Sequence, residues 1–184
     1  MSSWSERDEA AMAAVVNHHA ELAAGLEQRA AALISTAESA PDSVDLARRE
    51  LLDYLHREVV PHAQAEERVL YAAATRLAAG RLLIDGMLDE HRAIVSCIEE
   101  LAEAPTPVRA AAAARALTAL FATHLTKENE LVVPLIVGDP ETSLADLLAG
   151  MHELLGEAAA ENSCGCGGCG CGQQGAEPVD IGRA

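Results

Sequence analysis

The residues of this chain whose types and spacing could do chemistry are four histidines and two glutamates, His19, His62, Glu66, His91, His124 and Glu128. Each glutamate follows a histidine by four residues. Residues with that spacing lie above one another on one face of a helix, roughly 6 Å apart along its axis. All six lie on the apolar stripes of predicted helices, where imidazole and carboxylate groups are suitable donors for metal ions.

Metal binding is inferred from where the six residues lie, because the number of motifs alone is uninformative. The 7 His and 20 Glu of the chain give about 0.8 pairs with the His-x-x-x-Glu spacing by chance, and two are observed. A buried carboxylate without a partner costs several kcal/mol or is forced to protonate. No Lys or Arg shares these inner stripes. Bound cations would remove the cost, and a purely structural role for the six is the alternative.

The donors are sufficient for two metal ions. Two histidines for each ion and two bridging glutamates would give about four protein donors per ion. Positions would then remain for a bridging oxygen species and for an exogenous ligand. Such a site is open and reactive, in contrast to a closed structural metal site.

The elements that must position these residues are amphipathic helices. Apolar residues at helical spacing predict five of them, over about Ser5–Ala37, Val44–Ala79, Leu82–Ala104, Pro107–Val137 and Ser143–Glu161. Pro61 predicts a kink in the second helix just before His62, and Gly80 is expected to close that helix. The predicted inner face of the fourth helix carries Leu117, Leu120, His124, Glu128 and Leu131.

The fold class predicted from this pattern is all-α, an up-down-up-down four-helix bundle with a short fifth helix, over residues 1–161. Short links between four long helices favour this arrangement, and such bundles place metal sites in the core, between facing helices. Residues 162–184 are predicted to form a flexible Cys/Gly-rich tail, because their composition cannot build a packed core.

The chain also repeats itself. Each half provides one histidine on a first helix and a His-x-x-x-Glu pair on the next helix. The residues after the motif correspond as well, because 66–72 (Glu-Glu-Arg-Val-Leu-Tyr-Ala) align with 128–134 (Glu-Asn-Glu-Leu-Val-Val-Pro). Two such helix pairs would meet with approximate two-fold symmetry.

The acidic composition argues against two classes of partner. The formal net charge of −16 disfavours binding to nucleic acid or to an anionic membrane. No apolar stretch approaches the roughly 18 residues of a membrane span, and the first residues lack the basic start and apolar run of a signal peptide. The sequence therefore predicts a cytoplasmic protein.

The order His … His-x-x-x-Glu … His … His-x-x-x-Glu on four helices resembles the hemerythrin-like, or HHE cation-binding, proteins over about residues 10–137. The resemblance implies a site of two non-haem irons with a bridging oxo or hydroxo group. The ligands that it implies are His19 and His62 for one iron, His91 and His124 for the other, and Glu66 and Glu128 as bridges.

One departure from the resembled family bears on function. Oxygen-carrying hemerythrins have a fifth histidine one turn before the third, and here that position is Met87. The resemblance then implies an open position on both irons. The expected function is to bind, sense or detoxify O2, peroxide or nitric oxide under oxidative stress, with peroxide or NO decomposition as the enzymatic form of that function.

Tyr71 and four cysteines are secondary candidates as metal ligands. Tyr71 stands where the resembled family often has Leu-Tyr-Pro, and it is interpreted either as a ligand or hydrogen-bond donor near the irons or as a packing tyrosine. The tail cysteines offer soft donors for Zn, Cu(I) or an iron–sulfur cluster, and reduced thiols on a disordered tail are the alternative. These cysteines are Cys164, Cys166, Cys169 and Cys171.

Two other functions stay open at this stage. One is a metal-handling protein for iron storage or repair, in which the tail cysteines transfer metal, and the other is a bundle used only for partner binding. Of the remaining polar residues, His18, His56 and Glu67 are interpreted as flanking or solvated groups. His152 is interpreted as a structural histidine on the apolar face of the fifth helix.

Overall fold

Helices are the only regular secondary structure in residues 5–153, the part of the chain that a computed structural model describes. The all-α prediction is confirmed for these residues. Helix α1 spans Glu6–Ser39, residues 44–74 form a composite helix α2, Gly80–Ala102 form α3, and residues 107–137 form a second composite helix, α4. A fifth helix, α5, begins at residue 144 and continues to residue 153.

The composite helices contain π turns, which are wider than α-helical turns. The α-helical segments of α2 and the π turns between them are Val44–Tyr54, Leu55–Val59 (π), Val60–Glu66, Glu67–Tyr71 (π) and Ala72–Ala74. Helix α4 consists of Pro107–Lys127, the π turn Glu128–Val132, and Val133–Val137. The turn at Leu55–Val59 precedes Pro61, which lacks the N–H that an α-helix would use at that position.

Neighbouring helices α1 and α2 run in opposite directions. The hydroxyl of Tyr54 donates a hydrogen bond to the carbonyl oxygen of Leu22, whereas Glu66, later in α2, contacts His19, earlier in α1. The links between the long helices are short, at residues 40–43, 75–79 and 103–106. None of the helices within residues 5–153 combines the length and apolarity that a membrane crossing requires.

The six candidate ligands form a polar layer between two apolar clusters. The cluster on one side includes Leu22, Leu26, Leu55, Ile98 and Leu117. The cluster on the other side includes Val15, Leu70, Ile84, Met87 and Ile136. Each of the four long helices therefore contributes apolar residues on both sides of its polar residue, and this fixes the depth of the layer within the bundle.

The second helix ends earlier than the sequence predicts. Helix α2 stops at Ala74, and Gly80 begins α3 instead of closing α2. A Cβ atom on Gly80 would lie 1.9 Å from the carbonyl oxygen of Ala74. The backbone therefore approaches itself too closely at this link for any side chain. The glycine marks the link correctly, but it belongs to the helix that follows.

The predicted inner face of α4 is wrong after Glu128. Leu131 is 50% exposed, whereas Val132 and Val133 are each 1% exposed. The π turn at Glu128–Val132 widens the helix at this point, so the buried stripe moves on by one position. A constant α-helical period cannot show such a shift.

Two glycines of α3 provide a test of the close approach. Gly80→Ala should destabilise the fold by about 1–3 kcal/mol, because the added methyl group can be accommodated only by backbone movement. Gly86→Ala is the control, since a Cβ there would meet no atom within 4 Å, and it should be neutral or stabilise by up to about 1 kcal/mol. Urea denaturation measures both free energies of unfolding, and equal values would contradict the close approach at Gly80.

Candidate metal centre

All six candidate ligands are buried in one layer of the bundle, where each exposes 5% or less of its surface. They come from four helices: His19 from α1, His62 and Glu66 from α2, His91 from α3, and His124 and Glu128 from α4. In the described part of the chain, the only ionic partners of the two glutamates are histidines. The structure thus brings the six residues together without a Lys or Arg.

The first group of donors joins α1 and α2. His19 Nε2 lies 3.2 Å and His62 Nε2 lies 2.9 Å from the same oxygen, Oε1 of Glu66. One ligand atom from each of these residues lies within 4.8 Å of the other two. A single small cation could therefore contact all three.

The second group joins α2, α3 and α4. The Nε2 atoms of His91 and His124 face each other at 3.0 Å. With oxygens of Glu66 and Glu128 they form a set of four ligand atoms, all within 4.8 Å of one another. Two nitrogens that bind one ion at about 2.1 Å and at right angles are about 3.0 Å apart. The spacing of the two imidazoles fits a shared ion.

Both glutamates reach from one group to the other. Glu66 belongs to both groups, since its second oxygen, Oε2, lies 3.9 Å from His91 Nε2. Glu128 places Oε1 3.5 Å from His124 Nε2 and Oε2 3.8 Å from His19 Nε2. Carboxylates with this reach are suited to bridge two neighbouring cations.

Three buried polar atoms of the layer have no hydrogen-bond partner among residues 5–153, namely Nδ1 and Nε2 of His62 and Oε2 of Glu128. His62 Nε2 is close to Glu66 but is not aligned with it for a hydrogen bond. A buried polar atom without a partner costs about 1–3 kcal/mol. Cations bound at the two donor groups would satisfy His62 Nε2 in the first and Glu128 in the second, so the donors present fit metal binding.

The charges in the layer require compensation within it. Burial by itself raises the pKa of Glu66, but the charge of His62, together with the hydrogen bond and charge of His19, outweighs burial and holds that pKa well below its usual range. Burial by itself lowers the pKa of His19, and the hydrogen bond and charge of Glu66 raise it overall. The buried carboxylate therefore stays anionic and requires positive charge beside it.

Tyr71 lies at the second group and is 2% exposed. Its hydroxyl donates a hydrogen bond to Oε1 of Glu128 and lies 3.4 Å from His91 Nε2 and 3.5 Å from His124 Nε2. Burial, followed by the charge of Glu128, raises the pKa of Tyr71 far above its usual value. The hydroxyl therefore keeps its proton, and the structure places Tyr71 at the site as a hydrogen-bond donor.

A π turn brings this hydroxyl to the layer. In an unbroken α-helix a residue five positions after Glu66 would be rotated by about 140° from it. The wider turn at Glu67–Tyr71 reduces this rotation, so Tyr71 faces inward as Glu66 does. The counterpart of Tyr71 in the repeat is Val133, so this position of the repeat provides a hydroxyl to the second group and an apolar side chain in the other half.

The Nδ1 atoms of three candidate ligands contact residues that the sequence did not identify as functional. The contacts are Glu67 with His91 at 2.7 Å, Asn129 with His19 at 2.8 Å and Glu90 with His124 at 3.1 Å. Glu67 is a partly solvated charge outside the donor groups, as predicted, with a side chain that is 41% exposed, but it also contacts a candidate ligand. The available signal was the repeat, in which Glu67 and Asn129 each follow a motif glutamate.

The other candidates either do not belong to the two donor groups or lie outside the described residues. Met87, at the position of the absent fifth histidine, packs in an apolar cluster and is 1% exposed. His152 is exposed, because α5 turns Leu144 and Met151 inward instead. The four tail cysteines and the rest of residues 154–184 lie outside the described residues.

A cavity of about 320 Å³ connects the surface between α2 and α3 with the donor layer. Its walls are mostly apolar and include Ile94 and Phe121. It also reaches His62 of the first group and His91 of the second. A small molecule from solvent can therefore approach donors of both groups.

Comparison with known proteins agrees with this geometry. The model of the hemerythrin HHE cation binding domain matches residues 11–161 of the 184, a range that contains all six candidate ligands. The chain belongs to this family. Searches of curated proteins and of solved structures gave no match. In this hemerythrin-like chain, the buried layer of His and Glu is the place where a cation can bind.

A cation bound in the layer should stabilise the fold. At about 100 times its dissociation constant, a cation that binds only the folded chain adds about 2.7 kcal/mol. We expect Mn²⁺, which thiolates bind weakly, to raise the midpoint of thermal unfolding, and His62→Ala to remove most of this increase. The control His56→Ala changes an exposed histidine of the same helix and should keep the increase. If Mn²⁺ raised the unfolding midpoint equally in both variants, the cation would bind elsewhere.

Proposed function

We propose that the chain is a non-haem diiron protein that binds, senses or detoxifies O2, peroxide or nitric oxide at an open dinuclear site. The family supports cation binding, and two donor groups that share Glu66 support two neighbouring ions. The proposed ligands are His19 and His62 for one iron, His91 and His124 for the other, and Glu66 and Glu128 as bridges.

The observation that carries the proposal is the cavity that reaches donors of both groups. Two histidines and two shared carboxylates give about four protein donors per ion, which leaves positions for an exogenous ligand. One water molecule occupies about 30 Å³ in the liquid, so a cavity of about 320 Å³ easily admits a diatomic molecule or a peroxide. A structural metal site would be closed to such ligands.

Iron bound here would supply one-electron and O2 chemistry. The residues of the chain supply negative charge, a hydroxyl that donates a hydrogen bond, and a path from the solvent. The two buried carboxylates balance part of the positive charge. The hydroxyl of Tyr71 holds a proton at Oε1 of Glu128, close to where a ligand at the second group would lie. The apolar walls of the cavity favour uncharged ligands, because a charged ligand would lose its hydration there.

Iron content and reactivity test this proposal. Full-length protein from iron-replete medium should contain about two irons per chain, and Glu66→Ala should hold at most one, because it removes a donor shared by both groups. Glu58→Ala, an exposed glutamate of the same helix, is the control and should keep both. Protein that takes up no iron on reconstitution would overturn the proposal.

The reduced, iron-loaded protein should also change its absorption when it is mixed with an oxidant. Stopped-flow spectroscopy with O2, H2O2 and NO in turn identifies the ligand as the one that reacts fastest at equal concentration. Reaction with none of the three would contradict the proposed function while leaving cation binding intact.

Removal of the Tyr71 hydroxyl tests its role as a hydrogen-bond donor at the site. Tyr71→Phe should keep both irons, because the hydroxyl is not among the proposed ligands. Because a hydrogen bond from the hydroxyl can stabilise charge that develops on the oxygens of peroxide, its loss should slow the reaction with H2O2 by about 100-fold, whereas binding of uncharged NO should change little. Stopped-flow rate constants for both molecules provide the measurement. Equal slowing with both, or loss of iron, would indicate a ligand or packing role instead.

A further inference from the structure

The Nδ1 atoms of the four candidate histidines have different partners in the two donor groups. In the second group, His91 Nδ1 donates to Oε1 of Glu67 at 2.7 Å. His124 Nδ1 donates to Oε2 of Glu90 at 3.1 Å. Both acceptors are carboxylates. The space beside these two histidines is the His91/His124 position.

In the first group, the Nδ1 atoms of His19 and His62 have a neutral partner or none. The space beside these two histidines is the His19/His62 position. His19 Nδ1 donates to the amide oxygen Oδ1 of Asn129 at 2.8 Å. His62 Nδ1 is buried and has no hydrogen-bond partner in the described part of the chain. The ring of His18 lies edge-on to His62, with 4.8 Å between ring centroids. Neither histidine therefore has a carboxylate at Nδ1.

This difference arises at corresponding places of the repeat. Glu67 and Asn129 each directly follow a motif glutamate, and His18 and Glu90 each precede the first histidine of their half. The two halves thus keep the same candidate ligands and differ in the residues behind them. The difference in residue type at these corresponding positions is a property of the sequence.

A carboxylate behind a ligating imidazole strengthens metal binding for two reasons. It fixes the tautomer that leaves the Nε2 lone pair free for the metal, and it makes that nitrogen more basic. Hydrogen bonds to a charged acceptor are about twice as strong as those to a neutral one. Lys127 pairs with Glu90 and offsets part of its charge. Glu67 forms no ion pair with Lys or Arg in residues 5–153, so its charge acts on His91 without such an offset.

We infer that the two cation positions are unequal and that the His91/His124 position binds a divalent cation first and more tightly. Removal of an outer partner typically lowers metal affinity 10–100-fold, so the two affinities should differ by about 10-fold or more. The inference rests on the dinuclear site of the proposed function. It makes Glu67 and Glu90 positioning residues, which act on the metal through His91 and His124.

Diffraction with a limiting amount of metal locates the tighter position. Crystals of the full-length protein are grown with one equivalent of Mn²⁺, and data are collected above the Mn absorption edge. The main anomalous peak should lie between His91 and His124. Equal peaks at both positions, or a main peak between His19 and His62, would overturn this inference and leave the proposed dinuclear site intact. Absence of Mn²⁺ from both would contradict the dinuclear site on which it rests.

Titration of three variants tests the cause of the inequality. Electron paramagnetic resonance of free Mn²⁺ reports both binding events. Glu67→Gln should weaken the first event about 10-fold and leave the second nearly unchanged. Asn129→Asp places a carboxylate behind His19 and should strengthen the second event by a similar factor. The control Glu99→Gln removes a charge from an exposed residue that lines the same cavity and should change neither event. Equal effects of Glu67→Gln and Glu99→Gln on the first event would overturn the inference.

Discussion

The structure depends on one constraint, the burial of two carboxylates and four imidazoles in a layer where, among residues 5–153, no Lys or Arg pairs with either carboxylate. Apolar clusters close this layer on both sides, and the two carboxylates are almost fully buried, so the mostly apolar cavity that reaches the layer leaves them little solvation. Their charge must be compensated within the layer, by protons on imidazoles or by cations. Because all four long helices contribute to the layer, whatever compensates the charge also holds the helices together.

The π turns adapt the helices to this layer. After Glu66 and Glu128 the chain must return apolar side chains to the inner face, and the wider turns place Leu70 and Val132 there. Both turns occur at nearly the same place in the two halves of the repeat. Single π turns inside α-helices are frequent at functional sites. In this bundle one of them has a direct chemical effect, because it brings the Tyr71 hydroxyl to Glu128.

Sequence reasoning predicted the burial of the candidate ligands better than it predicted their surroundings, and the helices show why. Helices α1 and α3 contain no π turn, so the α-helical period places His19 and His91 correctly on buried stripes. In α4 the phase changes at Glu128, and the same period therefore placed Leu131 on the wrong face. The contact of Glu67 with His91 crosses between two helices. A pattern along one helix carries no information about such a contact.

The same limit applies to inferring chemistry from the ligands alone. The six candidate ligands repeat almost symmetrically along the chain, and by themselves they would suggest two equivalent ions. The residues behind them do not repeat, since Glu67 corresponds to Asn129 and Tyr71 to Val133. Charge and hydrogen bonding behind a ligand change its donor strength without changing the ligand itself. An internally repeated bundle can therefore make two neighbouring ions unequal while every ligand is retained, and the difference lies in side chains that do not touch the metal.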